Sequence, residues 1–447
     1  MSMHDNETIQ VLKKEEELYE KACKVLPGGI SRNVVFRKPH PFYVSEAKGC
    51  YVTDINGNKK VDYANNIASL IHGHAHPQII EAVYKQMQKG TAYTIGTEIE
   101  IEHATLLCNR VPGFDKIRFM NSGTEAVMAM IKAARAFTGK PKIAKAEGGY
   151  HGSFDTAEVS QSSSPATWGD MDNPRSVAHV VGTPQAVLDN VVVYHYNDIE
   201  RTINILNRHA GEIACVLIDP VPHRIGMVQA TPEFVEALYK WTRENGALLC
   251  FDEVICFRAD YEGAQSAYTV KPDLTSMGKI IGGGFPIGAF AGRADIMNIL
   301  DPGGSDFRFP LSGTFSANPI SMTAGKVAME MLDREAMIKL NNFSQIAINQ
   351  IKEAGKIAGI PLSITGKGSM FKVHFREVAP KNYRESYEDA HTKMIMNMFL
   401  EKMYEEGVIM INSCSCVLST VIGQPEIDLL SDAMLKSFRH IKPHLQA

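Results

Sequence analysis

Residues 121–125 combine side chains that suit the binding of a phosphate group. They read Asn-Ser-Gly-Thr-Glu and lie between a predicted strand and a predicted helix. The first turn of a helix leaves backbone N–H groups unpaired and carries a partial positive charge, so it favours an anion. Ser122 and Thr124 add hydroxyl donors, and Gly123 allows a ligand to approach the backbone closely. An ordinary helix-capping turn would use the same residue types.

Asp252 follows the apolar run 247–251, which is predicted to be a strand. Ligands of open α/β sheets bind outside the carboxyl ends of the strands, so a carboxylate at this position is well placed for chemistry. It can ligate a metal, act as a general base or pair with a protonated ring nitrogen. A structural cap or an ion pair within the protein is the alternative that involves no ligand.

Lys279 stands between an apolar segment and a run of three glycines at positions 282–284. Burial of a lysine disfavours its charged form, which lowers the pKa of the amine and makes it available as a nucleophile. A solvated surface lysine is the alternative. The glycines resemble a flexible phosphate loop, but their spacing is not that of a P-loop.

Together, the three features meet the requirements of pyridoxal 5′-phosphate, which needs a phosphate cradle, a carboxylate at a strand end and a lysine. Lys279 would form a Schiff base with this cofactor. Asp252 would keep the pyridine nitrogen protonated, so that the ring can accept carbanion charge. The three features together therefore predict pyridoxal 5′-phosphate, which none of them predicts alone.

The length, composition and net charge of the chain indicate which class of protein contains these residues. The chain has 447 residues, of which 45% are hydrophobic and 21% charged, which is typical of a globular protein with more than one core. A net charge of -4 argues against a nucleic-acid partner. No apolar run reaches the roughly 18 residues of a membrane span, and the N-terminal residues do not resemble a secretory signal. We expect a cytoplasmic protein without a membrane partner.

Strand and helix patterns divide the chain into parts. Between residues 75 and 325, apolar strands alternate with helical segments, which predicts a mainly parallel sheet with helices on both faces. One long helix is predicted from about Ser321 onward, and the fewer, more separated elements of the last 120 residues indicate a smaller α+β unit. An amphipathic helix is predicted for residues 6–26 and a hairpin-like stretch for residues 43–63. We predict an N-terminal segment of the small domain, a large cofactor-binding domain and a C-terminal small domain, at residues 1–74, 75–325 and 326–447.

The chain resembles the class III (subgroup II) aminotransferases of fold type I along nearly its whole length. The motifs that carry the resemblance are, in chain order, Pro27-Gly28-Gly29, Gly73-His74-Ala75-His76-Pro77, residues 121–126, Gly149-Tyr150-His151-Gly152, Phe251-Asp252-Glu253-Val254, Asp273-Leu274-Thr275 with Gly278-Lys279, and Ser312-Gly313-Thr314 with Asn318-Pro319. The segment 278–284 is similar to that of the glutamate-1-semialdehyde aminomutases and of the β-amino acid (β-phenylalanine) aminotransferases near them. The resemblance implies an α/β fold with a seven-stranded, mainly parallel sheet, and a small domain built from both termini.

The resemblance also implies roles for individual residues. Lys279 and Asp252 would be catalytic, with Lys279 carrying a proton between the substrate carbon and the cofactor. The cofactor-binding residues would be Ser122, Gly123, Thr124, Tyr150, His151, Asp252, Val254, Lys279, Gly313 and Thr314. Among these, Tyr150 would stack on one face of the ring and Val254 would back the other. The Gly313-Thr314 step would reach the phosphate of the neighbouring subunit, which implies a homodimer with shared active sites.

The histidines His72, His74 and His76 alternate along the chain in a pattern that could suggest a metal site. In the resembled family this turn is structural, and we predict no metal. The eight cysteines are scattered along the sequence without zinc-site spacing, so neither a zinc site nor a disulfide framework is expected.

Arg32 is the candidate for binding a substrate carboxylate, because a guanidinium can hold a carboxylate through two hydrogen bonds. A Ser-Arg pair serves this purpose in the related β-amino acid aminotransferases, and a surface arginine is the alternative. The chain also departs from its relatives. It has Asp219-Pro220 where many have Glu-Pro, and its segment 412–417 lacks the arginine that the β-phenylalanine enzymes carry. Arg37 and Arg224 are further candidates for a positive charge at the site.

The predicted function is amino-group transfer from an amino acid donor, expected to be β-amino or aryl-substituted, to an acceptor that is a 2-oxo acid. Within the same cofactor class, an intramolecular 2,1-amino transfer or a racemase reaction is the alternative. A non-catalytic protein that binds the cofactor is a third alternative, and the presence of Lys279 and Asp252 argues against it.

Overall fold

The computed structural model describes residues 14–445. Of the helix predicted for residues 6–26, residues 14–23 are helical (α1), and residues 6–13 lie outside the described part. The strands are β1 Val44–Lys48, β2 Tyr51–Asp54, β3 Lys59–Asp62, β4 Lys116–Met120, β5 Lys142–Ala146, β6 Val191–Tyr194, β7 Ile213–Ile218, β8 Leu248–Asp252, β9 Leu274–Gly278, β10 Gly288–Gly292, β11 Ser363–Lys367, β12 Met370–His374, β13 Val408–Ile409 and β14 Ser415–Val417. The other helices are α2 Asn65–Ala68, α3 Pro77–Lys89, α4 Glu98–Arg110, α5 Gly123–Thr138, α6 Asp155–Glu158, α7 Gln185–Asp189, α8 Ile199–Asn207, α9 Pro232–Glu244, α10 Ala294–Met297, α11 Pro319–Met331, α12 Arg334–Ala358, α13 Tyr383–Ser386, α14 Ala390–Glu405 and α15 Gln424–Ile441.

A seven-stranded sheet lies at the centre of the molecule, with the strand order β4-β10-β9-β8-β7-β5-β6. Five adjacent strands, β9, β8, β7, β5 and β6, run parallel to one another. Strand β10 is antiparallel to both β9 and β4. The prediction of a mainly parallel, seven-stranded sheet in an α/β fold is therefore confirmed.

Strand β7, in the interior of the sheet, is apolar along its whole length because both faces of the sheet are covered. All six residues of β7 are buried. One face packs against α5, with Val127 and Met130 in the same cluster as Cys215 and Leu217 of β7. The opposite face packs against α9, whose Phe234 shares a cluster with alternate residues of β7. Continuous apolar runs of this kind are typical of strands buried on both sides.

The strand register brings the candidate residues to one edge of the sheet. Strands β8 and β9 are parallel neighbours, and Asp252 at the end of β8 is paired with Ser276 of β9. Lys279 follows the last residue of β9 directly. Strand β4 ends at Met120, which lies opposite Gly288 of β10, and Gly288 also lies opposite Gly278. Helix α5 therefore begins at the same edge.

The structure has two smaller sheets, and one of them joins the N-terminal and C-terminal parts of the chain. One has the order β1-β2-β3-β13, in which Val408 of β13 pairs with Val61 of β3. The other has the order β11-β12-β14. The domain boundaries at residues 74 and 325 stay a prediction.

The prediction of one long helix from Ser321 onward is wrong. The structure has two helices, α11 and α12, separated at Leu332 and Asp333. Leu332 leaves the helical conformation, and the Asp333 side chain accepts a hydrogen bond from the backbone N–H of Ala336 at 2.8 Å. Aspartate at this position is a strong helix N-cap, so the second helix starts anew here.

Candidate active site

A cavity of about 940 Å³ lies at the edge of the large sheet where β4, β8 and β9 end. Nine of the predicted site residues line it, namely Arg32, Ser122, Gly123, Thr124, Tyr150, His151, Asp252, Val254 and Lys279. Gly313 and Thr314 do not line this cavity, and both are exposed in the loop between β10 and α11. The structure thus brings together residues that are up to 247 positions apart, the separation of Arg32 and Lys279.

The start of α5 forms one wall of the cavity. Ser122 is the N-cap, and its hydroxyl accepts a hydrogen bond from the backbone N–H of Glu125 at 3.2 Å. The N–H groups of the first turn have no partners within the helix and are available to an anion. A Cβ atom added to Gly123 would lie 2.5 Å from Cγ1 of Val254, so glycine is required at this close approach.

Asp252 is held by three hydrogen-bond donors from three directions. Its Oδ1 accepts from the Ser276 hydroxyl at 3.0 Å and from the backbone N–H of Val254 at 3.1 Å. Its Oδ2 lies 2.8 Å from Nδ1 of His151. Burial lowers the pKa of His151, so its ring is neutral and Nδ1 carries the proton that it shares with Asp252. The carboxylate is thereby fixed at the floor of the cavity, where only 4% of the residue is exposed.

Lys279 has a left-handed backbone conformation, with φ of 51°, directly after β9. Such a conformation is uncommon for a residue with a side chain and is found preferentially at functional sites. Burial lowers the pKa of its amine to about 8. The negative charge of Asp252 raises this pKa, and the positive charge of Arg32 lowers it further. The amine is therefore far more available in its neutral, nucleophilic form than that of a solvated lysine.

Asp219, which precedes Pro220, is a second acidic residue in the cavity wall. Its Oδ1 accepts hydrogen bonds from the backbone N–H of Val221 at 2.9 Å and from the thiol of Cys256 at 3.2 Å. Burial, together with the charge of Asp252, raises the pKa of Asp219 to about 8. The carboxyl is therefore largely protonated at neutral pH.

Arg32 extends to the cavity and is fixed there by Asn66. The guanidinium donates a hydrogen bond from Nη1 to Oδ1 of Asn66 at 2.7 Å. Asn66 belongs to α2, a turn whose four residues all have positive φ, between 45° and 69°. Left-handed turns made of residues with side chains are costly and need support from the surrounding structure.

Buried side chains support the left-handed turn. Asp62 accepts hydrogen bonds from the backbone N–H groups of Ala64 and Asn65, at 2.8 and 2.9 Å. The fully buried guanidinium of Arg258 donates to the carbonyl of Ala68 at 3.0 Å. Sequence patterns do not predict this turn. Its one local signal is the Asn65-Asn66 pair, since asparagine tolerates positive φ better than most residues.

Other cations line the cavity besides Arg32 and Lys279. Arg224, one of the further candidates, has its guanidinium 5.3 Å from the centre of the Tyr150 ring. Lys372 and Lys393 also line the cavity and were not predicted. Arg37, in contrast, lies outside it, with its guanidinium 5.2 Å from the ring centre of Phe42.

Two of the three alternating histidines, His72 and His74, form hydrogen bonds within the protein. His72 contacts the Thr420 hydroxyl and the Ala328 carbonyl, each at 2.8 Å, and His74 lies 2.8 Å from Oδ2 of Asp62. Among residues 14–445, no group of three or more histidine, cysteine or acidic side chains is arranged to hold a metal ion. No helix in the same part of the chain is both long enough and apolar enough to cross a membrane.

The residues in the cavity fit pyridoxal 5′-phosphate. The phosphate needs hydrogen-bond donors, which the first turn of α5 provides where Gly123 leaves room beside Val254. The ring nitrogen needs a fixed acid, and Asp252 is anchored by His151 and Ser276 with its carboxylate in the cavity. The aldehyde needs an amine that is neutral near physiological pH, as the Lys279 environment favours.

Comparison with known proteins identifies the family. Residues 34–436 match the family model described as aminotransferase class-III. A glutamate-1-semialdehyde 2,1-aminomutase from Methanothermobacter thermautotrophicus is 38% identical over 396 residues, covering 88% of this chain and 91% of that protein. The crystal structure of an omega-transaminase from Sphaerobacter thermophilus is 43% identical, with a TM-score of 0.94 and coverage of 96% of this chain and 98% of that one. A β-phenylalanine aminotransferase from Variovorax paradoxus is 29% identical, with a TM-score of 0.84 and coverage of 95% and 93%. With this match along the chain and a cavity that fits the cofactor, the protein belongs to the class III aminotransferases and is a pyridoxal 5′-phosphate-dependent enzyme.

Proposed function

We propose that the enzyme transfers an amino group from a β-amino or aryl-substituted amino acid to a 2-oxo acid. The observation that carries this proposal is the position of Arg32, whose guanidinium is suited to a carboxylate and is held by Asn66 at the cavity that Lys279 also lines. The similarity to a β-phenylalanine aminotransferase supports this class of donor, and the similarity to an omega-transaminase supports amino-group transfer.

The catalytic work of the chain is divided between Lys279 and Asp252. Bound pyridoxal 5′-phosphate supplies an aldehyde for the amino group and a protonated ring that accepts electron density from the substrate carbon. In our proposal Asp252 holds the proton on the ring nitrogen, and His151 and Ser276 keep its carboxylate in place. The amine of Lys279 first holds the cofactor and, once released, moves the proton at the reacting carbon.

The remaining site residues position the cofactor. We assign the phosphate to Ser122, Gly123 and Thr124 at the start of α5, where the helix dipole and unpaired N–H groups favour an anion. Val254 packs against Gly123 on one side of the ring site, and Tyr150 is assigned to the other side. The aromatic ring of Tyr150 is 40% exposed and free to stack on a flat ligand.

We further propose a homodimer in which Gly313 and Thr314 complete the phosphate site of the neighbouring subunit. Their exposure leaves them free to meet a second chain. Large apolar side chains are exposed on α3 and after it, including Tyr84 at 62% and Ile95 at 81%, and Phe315 is 57% exposed beside the Gly-Thr step. Exposed apolar residues of this size are typical of a protein–protein interface.

Replacing Arg32 by alanine should weaken the binding of donors that carry a carboxylate. A hydrogen bond to a charged group is worth roughly 1.5–3 kcal/mol, which corresponds to a factor of about ten to a hundred and fifty in affinity. We expect the Michaelis constant for carboxylate donors to rise by about that factor, with a much smaller change for amines that lack a carboxylate. Steady-state kinetics with paired donors checks this. An equal effect of Arg32→Ala on both donor types would place the carboxylate elsewhere, and Arg224 would be the next residue to test.

The rate at which apoenzyme attaches its cofactor should follow the ionisation of Lys279. Only the neutral amine attacks an aldehyde, and the amine is neutral above its pKa. With a pKa of about 8, roughly a tenth of the amine is neutral at pH 7. The neutral fraction of a solvated lysine at the same pH is about three hundred times smaller. We expect the attachment rate, followed by absorbance, to rise with pH to a midpoint near 8. A midpoint near the ordinary lysine value of 10.5 would contradict the proposed environment.

A 2,1-aminomutase reaction is the second candidate function. The observation that favours it is the 38% identity to a glutamate-1-semialdehyde 2,1-aminomutase over most of both chains. Both reactions use the same cofactor and the same lysine and aspartate. They differ in whether the amino group leaves the carbon skeleton of the donor, which can be measured directly.

A further inference from the structure

Lys372 is a buried lysine at the cavity whose charge the proposed reaction does not use. It is the central residue of β12, only 5% exposed, and it nevertheless lines the cavity. Burial of an ammonium group is costly unless the charge is paired. Its ion-pair partner is Glu388, whose Oε1 lies 2.6 Å from Nζ.

Glu388 reaches Lys372 from a segment that is anchored to the large sheet. The segment begins with α13, where the Tyr383 hydroxyl donates to the carbonyl of Ser163 at 2.7 Å. Arg384 forms an ion pair with the buried Glu147 at 2.8 Å. The backbone that carries Glu388 is therefore fixed, whereas its side chain is 26% exposed and has room to move at the cavity.

The charged side chains that line the cavity carry an excess of positive charge. The cations that line the cavity are Arg32, Arg224, Lys279, Lys372 and Lys393, and the acidic residues that line it are Asp219, Asp252 and Glu388. Asp219 is largely protonated, because its pKa is raised to about 8. Lys279 and Asp252 are both assigned to the cofactor, which leaves four lysine and arginine side chains in the cavity against one ionised carboxylate, that of Glu388.

His223 lies in the same wall and does not offset this charge. Its Nε2 is 2.8 Å from the hydroxyl of Ser413, which lies just before β14, the strand that pairs with β12. Burial, with the charges of Lys372 and Lys279, lowers the pKa of His223 to about 3, so its ring is neutral. The neutral ring of His223 and the hydroxyl of Ser413 can therefore contact a ligand near Lys372. The carboxylate of Glu388 is the one group there that a carboxylate of the ligand can replace.

We propose that Lys372 binds the second carboxylate of a dicarboxylic acceptor, and that Glu388 competes with this carboxylate for the ammonium group. The inference rests on the proposed aminotransferase function and names the class of its 2-oxo acid. Arg32 holds the carboxylate of the donor, and Lys372 supplies a separate site on β12. Lys393 is a weaker candidate, because it is exposed and lies 5.7 Å from the ring centre of Tyr387.

Two substitutions should have opposite effects on acceptor choice. Lys372→Met removes the charge but keeps a long side chain, and should raise the Michaelis constant for 2-oxoglutarate by roughly tenfold to a hundredfold, with a much smaller change for pyruvate. Glu388→Gln removes the competing carboxylate and should lower the Michaelis constant for 2-oxoglutarate severalfold. A merely structural ion pair would instead lose function in both variants and with both acceptors. Lys393→Met is the matched control and should leave the ratio between the constants for the two acceptors unchanged.

A binding experiment tests the same site without turnover. Calorimetric titration of the holoenzyme with glutarate and with butyrate compares ligands that differ in the second carboxylate. We expect the unaltered holoenzyme to bind glutarate more tightly than butyrate. Glu388→Gln should bind glutarate more tightly still, and Lys372→Met should bind the two ligands with similar affinity. Because glutarate undergoes no transamination, this result stands apart from the proposed reaction. Equal binding of both ligands to the unaltered enzyme, or a selective loss in Lys393→Met, would overturn the assignment, even if Lys372→Met failed to fold.

Discussion

Turnover is expected to disappear when Lys279 is replaced by alanine, with kcat falling by at least about a thousandfold. A positioned proton-transfer group contributes roughly a hundredfold to ten-thousandfold, and Lys279→Ala also removes the amine that holds the cofactor. The measurement is kcat of the purified variant with a saturating donor and acceptor. Without the cofactor, the thermal unfolding midpoint should be similar in the variant and the unaltered protein, because Lys279 forms no ion pair with any residue in the described part of the chain.

Lys145 provides a stringent control for the assignment of Lys279. It is fully buried, and burial lowers the pKa of its amine to about 7. Its Nζ, however, donates hydrogen bonds to the carbonyls of Gly149, Ala157 and Val159 at 2.6–2.8 Å, and it does not line the cavity. Borohydride reduction of the holoenzyme followed by peptide mapping should therefore label Lys279. A label on Lys145 or on any other lysine would refute the assignment.

Asp252→Asn is expected to reduce kcat by about a hundredfold or more while leaving the protein folded. An amide cannot keep the ring nitrogen of the cofactor protonated, so the reacting carbon loses its electron acceptor. Loss of a hydrogen bond between charged groups alone corresponds to roughly 1.5–3 kcal/mol. The measurement is single-turnover kinetics with an amino donor, together with the thermal unfolding midpoint.

Ser276→Ala is the matched control for Asp252→Asn. The Ser276 hydroxyl donates to the same carboxylate at 3.0 Å, so its removal disturbs the position of Asp252 but keeps its charge. We expect a much smaller loss of rate than in Asp252→Asn. Near-normal turnover in Asp252→Asn would show that Asp252 is only a structural cap.

The parts of the site that could be predicted are those that depend on local order along the chain. A strand followed by Ser122-Gly123-Thr124 and a helix brings these three residues to a sheet edge, and a strand ending at Asp252 places a carboxylate at the same edge. Parallel strands bring their carboxyl ends together, so no long-range information was needed.

Other features depend on contacts that the sequence pattern does not reveal. Strand β9 is not predicted by the pattern, because Thr275 and Ser276 interrupt its apolar character. In the structure both are buried, and Ser276 supports Asp252. Lys372 has the sequence pattern of an ordinary polar residue in an alternating strand. Its position at the cavity follows from the packing of the small sheet against the large domain.

The backbone conformation of the site also depends on distant residues. The left-handed turn that holds Asn66 against Arg32 is stabilised by Asp62 and by Arg258, which is 190 residues from the carbonyl that it contacts. Residue propensities favour a right-handed conformation for Ile67 and Ala68, and tertiary hydrogen bonds override them here.

The fate of the amino group tests the central claim most directly. The enzyme would be given a donor labelled with ¹⁵N, such as β-phenylalanine, and unlabelled 2-oxoglutarate, and the products would be identified by mass spectrometry. Aminotransfer predicts ¹⁵N in glutamate, together with an equal amount of the carbonyl compound derived from the donor. Label that stays on the donor skeleton across the donor panel, either moved to the neighbouring carbon or retained with inverted configuration, would show an aminomutase or a racemase and would contradict the account.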